Sequence, residues 1–248
     1  MRRDNIKNES YWEAYLSEQD LWIEKIENAL KETKNQYGDT NNKIIQLSGN
    51  IFEMQKEKFY AMYSIGANVS ALRNVYAALT DAATRLGALT YNELQLLLSL
   101  AILLEYDIVS NNLLSNFQEK IDKGLQAMFS EEKVSCEHDF WLGLLISHIQ
   151  KTQYIITNKR IFFEESKEFW KLTNELIKAS PDDRLSLFTL YMKNWYEFNK
   201  DKTWYDFHKR KDNVYYGYWA FECGALAKIM GLTATQLNGV QFLPIDLL

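Results

Sequence analysis

The chain carries only two prolines, Pro181 and Pro244, and ten glycines among its 248 residues. Proline interrupts a helix and glycine weakens one, so a chain this poor in both suits long helices joined by short connections. No run alternates apolar and polar residues over strand length, whereas apolar spacing of three and four recurs throughout. The expected class is all-α, with two consecutive helical halves packed as one array or bundle.

Trp12, Leu16, Ile23, Ile26 and Leu30 mark a first long helix that ends by Gly38. Ile44, Leu47, Ile51, Met54 and Tyr63 mark a second, stopped near Gly66, and a third runs to Gly87. Thr90 followed by Glu93 is a capping box. The helix it opens, with Leu94, Leu97, Leu98, Leu100, Ile102, Leu103 and Leu104, is apolar on every side and should be enclosed by neighbours. Ser180-Pro181 is the favoured pairing of an N-cap with a first helical residue. Residues 130–139 are polar and acidic, which places the boundary between the halves there, as domains 1–128 and 129–248. Residues 199–212 read as loop, residues 215–231 as a helix. The apolar end around Pro244 should pack back onto the core.

Charge and composition narrow the function. The net charge is −5 and the pI about 5.4. Free-standing nucleic-acid binders usually show a basic face, so this balance favours protein or small-molecule partners over direct nucleic-acid contact. The polar N-terminus and the shortness of the apolar run before Leu104 predict neither a signal peptide nor a membrane span, and point to the cytoplasm. Cys136 and Cys223 have no metal-ligand spacing. His138-Asp139 lacks the upstream histidine that a metal phosphohydrolase needs, and no phosphate loop, nucleophile elbow or dinucleotide fingerprint occurs. No cofactor is expected. The basic aromatic stretch around His208-Lys209-Arg210-Lys211 reads as solvated surface.

Residues 215–231 are the most informative. On a helix, Tyr215, Trp219, Leu226 and Ile229 share a stripe, and Glu222 falls within it. A carboxylate there must find partners, because burying it alone is costly. Tyrosine hydroxyls or backbone amides are the expected ones. An acid–base catalyst built from Glu222 and His208 is one functional reading of the chain, and a helical scaffold protein is another.

Tyr216-Gly217-Tyr218-Trp219-Ala220-Phe221-Glu222, the small-residue helix after it, and Gly231-Leu232 resemble the C-terminal hallmark of the PoNi-type immunity proteins. The ending Phe242-Leu243-Pro244-Ile245-Asp246-Leu247 resembles theirs too, with leucine at one usual aromatic position. Arg3-Asp4-Asn5-Ile6-Lys7 leading into Tyr11-Trp12, and the apolar helix at Leu98–Leu104, are similar to the family's N-terminal part. The resemblance spans the chain. It implies an all-helical, non-enzymatic protein that binds and neutralises a cognate polymorphic toxin, generally a DNase of the PD-(D/E)xK type. It also implies that Tyr216, Gly217, Tyr218, Trp219, Glu222, Pro244 and Asp246 determine the fold more than they contact a partner.

A nuclease must present cationic surface to DNA, and an acidic inhibitor approaches such a surface quickly. The densest acidic group, Glu131, Glu132, Glu137 and Asp139, is therefore the candidate toxin contact, set against its reading as a solvated linker.

Overall fold

The computed structural model describes residues 2–38, 42–129, 134–156 and 167–248. Among these residues it is helical, with no strand. The helices are α1 (Glu9–Tyr37), α2 (Asn42–Ser64), α3 (Val69–Thr84), α4 (Tyr91–Leu104), α5 (Leu113–Phe129), α6 (Phe140–Gln150), α7 (Lys167–Lys178), α8 (Pro181–Phe198) and α9 (Phe221–Ile229). None is long and apolar enough to cross a membrane.

The chain forms two compact units. The first comprises Met1–Gly87 and Asp206–Tyr218; the second comprises Ala88–Tyr205 and Trp219–Leu248. The backbone thus passes from one unit to the other after Gly87, after Tyr205 and after Tyr218.

In the first unit α1 packs on α2 and α2 on α3. Asn8 caps α1 by accepting from Tyr11 N at 2.9 Å, and Gly38, at φ 73°, ends it. The buried face of α1 is Trp12, Tyr15, Gln19, Leu30 and Thr33, while Leu16, Ile23 and Ile26 of the expected stripe are half-buried. The face is turned by polar chemistry. Tyr15 Oη and Gln19 Nε2 both donate to Glu57 of α2, at 2.9 and 3.2 Å, and a buried polar group goes where its partner is.

The second unit is built round α4, which packs on α5, α6 and α9. The capping box is formed: Thr90 Oγ1 accepts from Glu93 N, and Glu93 returns to Thr90 N. From Leu97 to Leu104 every residue of α4 is buried. Helix α8 begins as expected, with Ser180 accepting from Asp183 N and Pro181 as its first residue.

Residues 215–220 are not helical, contrary to the sequence reading; α9 begins only at Phe221. The backbone explains this. Gly217 sits at φ 112°, a region open to glycine and outside any helix, and Ala220 N donates to Phe242 O at 2.8 Å rather than to the preceding turn. The C-terminal segment does pack back, with Leu243 and Leu247 buried. A Cβ at Gly224 would lie 2.6 Å from Pro244 Cγ and 3.3 Å from Leu103 Cδ1. The absence of a side chain there is what lets the proline ring seat against α9.

Candidate functional site

In the first unit, Asp206–Tyr218 is held by the N-terminal segment. Tyr215 Oη donates to Asp4 Oδ2 at 2.5 Å, and both side chains are buried. Asp4 Oδ1 accepts from Ile6 N at 2.7 Å. Tyr11 Oη donates to Tyr215 O at 2.8 Å and accepts from Tyr215 N at 3.0 Å, so one hydroxyl satisfies both backbone groups of a non-helical residue. Burial pushes the Tyr11 hydroxyl up to about 12, and Tyr215 rises through burial and the nearby Asp4 charge. Lys7 Nζ donates to His208 O at 3.0 Å. Arg3 donates to Tyr63 O at 2.8 Å and Ala67 O at 3.0 Å, and its guanidinium lies 4.3 Å from the Tyr63 ring centre. Tyr63 O is one of the last carbonyls of α2, which have no partner inside the helix, and Ala67 O lies three residues beyond the helix end. The Tyr216 ring meets Tyr60 and Phe207 edge-on.

His208 belongs to this fastening. Its backbone N–H donates to Tyr218 Oη at 3.1 Å, and its Nδ1 lies 2.9 Å from the same oxygen. A neutral imidazole meets that oxygen in either tautomer, with the hydroxyl donating to a bare Nδ1 or accepting from Nδ1–H. Burial also lowers the His208 pKa, which favours that neutral form. The basic residues beside it are locally neutralised: Lys209 pairs with Asp206 at 2.8 Å and Arg210 with Asp212 at 2.5 Å.

Glu222 lies in the second unit, in the first turn of α9. Its Oε1 accepts from Trp195 Nε1 at 2.9 Å, and Cys223 Sγ is 3.7 Å away. The partner is an indole, not a tyrosine hydroxyl. Trp195 is fixed by rings on two sides, stacked on Trp204 at 5.7 Å and tilted against Phe242 at 5.4 Å. Burial pushes the Glu222 carboxyl up, against the pull of the Trp195 N–H. Both cysteines are free and buried, and desolvation keeps their thiols protonated. Trp219, expected on a helical stripe, is half-buried in the non-helical stretch before α9; Asp246 is exposed in a C-terminal turn, Ile245–Leu247.

Of the acidic group, Glu131 and Glu132 lie outside the described residues. Glu137 is exposed, and its Oε1 accepts from Gln118 Nε2 at 2.8 Å. Asp139 is turned inward, 2% exposed. Its Oδ1 caps α6 by accepting from Trp141 N and Leu142 N, each at 2.9 Å, and Tyr91 Oη donates to it at 3.2 Å. Residues 134–139 are anchored on α5: Ser135 Oγ and Cys136 N donate to Asp122 at 2.8 and 2.6 Å, and Gln126 Nε2 reaches Val134 O. This part of the segment is packed structure rather than solvated linker. Sequence reasoning missed Asp4, Asp122 and Trp195 as partners because each bond joins residues distant in sequence or hidden in a polar stretch.

Together these features describe an all-α protein whose ionisable signature residues are bound into its fold. Among the described residues, no group of three His, Cys, Asp or Glu stands ready to hold a metal ion. The chain belongs to the PoNe immunity protein (PoNi) family: the model of the family's N-terminal part matches residues 3–115, and that of its C-terminal part matches residues 138–247. No curated protein and no solved structure matches it.

Proposed function

We propose that this protein protects the cell that makes it by binding and neutralising a cognate PoNe-type toxin, a DNase of the PD-(D/E)xK class. The match to both halves of the PoNi family carries this reading. Charge supports it: a DNase offers cationic surface to its substrate, and this chain is net −5. Occlusion of the DNA-binding surface is the route, and the protein acts in the cytoplasm, where the DNA lies. Neutralisation proceeds by binding rather than catalysis. The side chains that invite an enzymatic reading have other employment, His208 with Tyr218 and Glu222 with Trp195. Glu137, with Glu131 and Glu132, remains a candidate contact; Asp139 serves α6.

The test is co-expression of the toxin's nuclease domain with and without this chain in a susceptible bacterium. Growth and intact chromosomal DNA are expected only with it, and the two proteins should co-purify. Toxicity unaffected by the chain would overturn the proposal.

A further inference from the structure

We infer that the outward face of α1 around Leu21 and Trp22 is a docking surface for a basic protein partner, which on the reading above is the nuclease toxin. Helix α1 carries seven of the chain's carboxylates, at positions 9, 13, 18, 20, 24, 27 and 32, against three lysines, at 25, 31 and 34. Its net −4 is most of the whole chain's −5. Within that acidic surface stand two large apolar side chains, Leu21 at 49% exposure and Trp22 at 45%. Glu18, Leu21, Trp22 and Lys25 follow the spacing i, i+3, i+4, i+7 and form one row on the helix; Glu24 lies beside Leu21.

The row is ordered, not loose. Lys25 Nζ sits 4.6 Å from the centre of the Trp22 ring and holds the indole in place. Asp20 is tied to Lys58 of α2 at 2.6 Å, and Glu27 to Arg85 at 3.0 Å. Glu13, Glu18 and Glu24 are exposed and carry no ion pair among the described residues.

An exposed tryptophan beside an exposed leucine is a poor use of surface unless something covers it, and tryptophan is enriched where binding energy concentrates. The charge round it selects the occupant. Unpaired carboxylates repel an acidic partner and steer a cationic one. The exposed pair Leu190 and Phe198 on α8 stands instead among mixed charge, with Lys193 and Glu197. It selects no partner by sign.

The experiment uses the full chain and the isolated nuclease domain of the cognate toxin. Two double variants are compared with wild type, Leu21→Ser/Trp22→Ala and Glu18→Lys/Glu24→Lys, with circular dichroism to confirm that each folds. The apolar pair should weaken binding by about 30-fold or more, chiefly through faster dissociation. The charge pair, made only of exposed side chains, should slow association about tenfold at low salt and far less at high salt. Wild-type binding by both folded variants overturns this surface while leaving the immunity reading intact. Absence of binding by wild type removes the immunity reading and the surface with it. Sedimentation of the free protein separates one more occupant: a dimer that Leu21→Ser/Trp22→Ala dissociates would make this face a contact between copies and overturn the inference.

Discussion

Replacing Tyr215 by phenylalanine removes one oxygen and leaves the ring, so it isolates the fastening of Asp206–Tyr218 to the N-terminal segment. The hydroxyl donates to Asp4 Oδ2 at 2.5 Å, and Asp4 is 6% exposed, so water cannot readily replace the lost donor. A hydrogen bond to a charged group contributes about 1.5–3 kcal/mol. For a chain of this size each kcal/mol corresponds to roughly 2–4 °C in melting temperature, so a loss near 2 kcal/mol should lower it by about 4–8 °C. Asp4→Ala should destabilise by more, because Ile6 N loses its acceptor as well. The decisive measurement is the double-mutant cycle in urea. Tyr215→Phe and Asp4→Ala should be coupled by about 1 kcal/mol or more. Additive effects with a Tyr215→Phe shift below about 1 °C would refute the claim that this bond fastens Asp206–Tyr218 to the N-terminal segment.

The remaining expectations concern the second unit. Burial raises the Glu222 carboxyl, so between the ordinary carboxylate value and the raised one the folded chain holds a proton that the unfolded chain has released. Its contribution is therefore full below the ordinary value and lost as pH rises through the raised one; Glu222→Gln should flatten that part of the stability–pH curve in urea titrations, and an unchanged slope would contradict it. Asp139→Ala should lower stability by about 1–3 kcal/mol through loss of the α6 cap and of the acceptor for Tyr91, with an unchanged rate of toxin association. Gly224→Val should destabilise by at least about 1–3 kcal/mol, seen as a lower melting temperature, because its Cβ meets the Pro244 ring at 2.6 Å. Glu131→Lys/Glu137→Lys should slow association with the toxin and reduce its salt dependence; unchanged rates at low and high salt remove that segment from the interface.

Where local chemistry decides the structure, the sequence was legible. The Thr90–Glu93 box, the Ser180-Pro181 start and the enclosure of α4 all follow from residues a few positions apart. Legibility failed where a distant partner outweighs local pattern. Residues 215–220 have helical spacing on paper, but the Tyr11 hydroxyl, Phe242 O and the positive φ of Gly217 keep them out of the helix. On α1 the apolar stripe gave way to Tyr15 and Gln19, drawn inward by Glu57. Glu222 was rightly expected to need a partner, yet nothing in its neighbourhood announced Trp195, 27 positions earlier. Asp139 stood in a charged stretch and read as surface. Its spacing before Trp141 and Leu142 is that of an N-cap, and the apolar helix behind it was the signal that it would be buried.

The same distinction separates what marks the family from what can recognise a toxin. The Asp4 carboxylate is engaged inside the first unit by Tyr215 and the Ile6 amide, and the Tyr11 hydroxyl is held by both backbone groups of Tyr215. Trp195 and Glu222 answer each other within the second. Groups committed in this way stabilise one fold and have little left with which to discriminate partners. They also explain why the first unit needs residues 206–218 at all: without them Asp4 and Tyr11 lose the partners that order the N-terminal segment. Side chains whose polar or apolar surface faces outward, such as Glu18, Leu21, Trp22 and Glu24 on α1, keep that surface available to a partner. Substitutions at those positions leave the bonds that hold the chain together undisturbed.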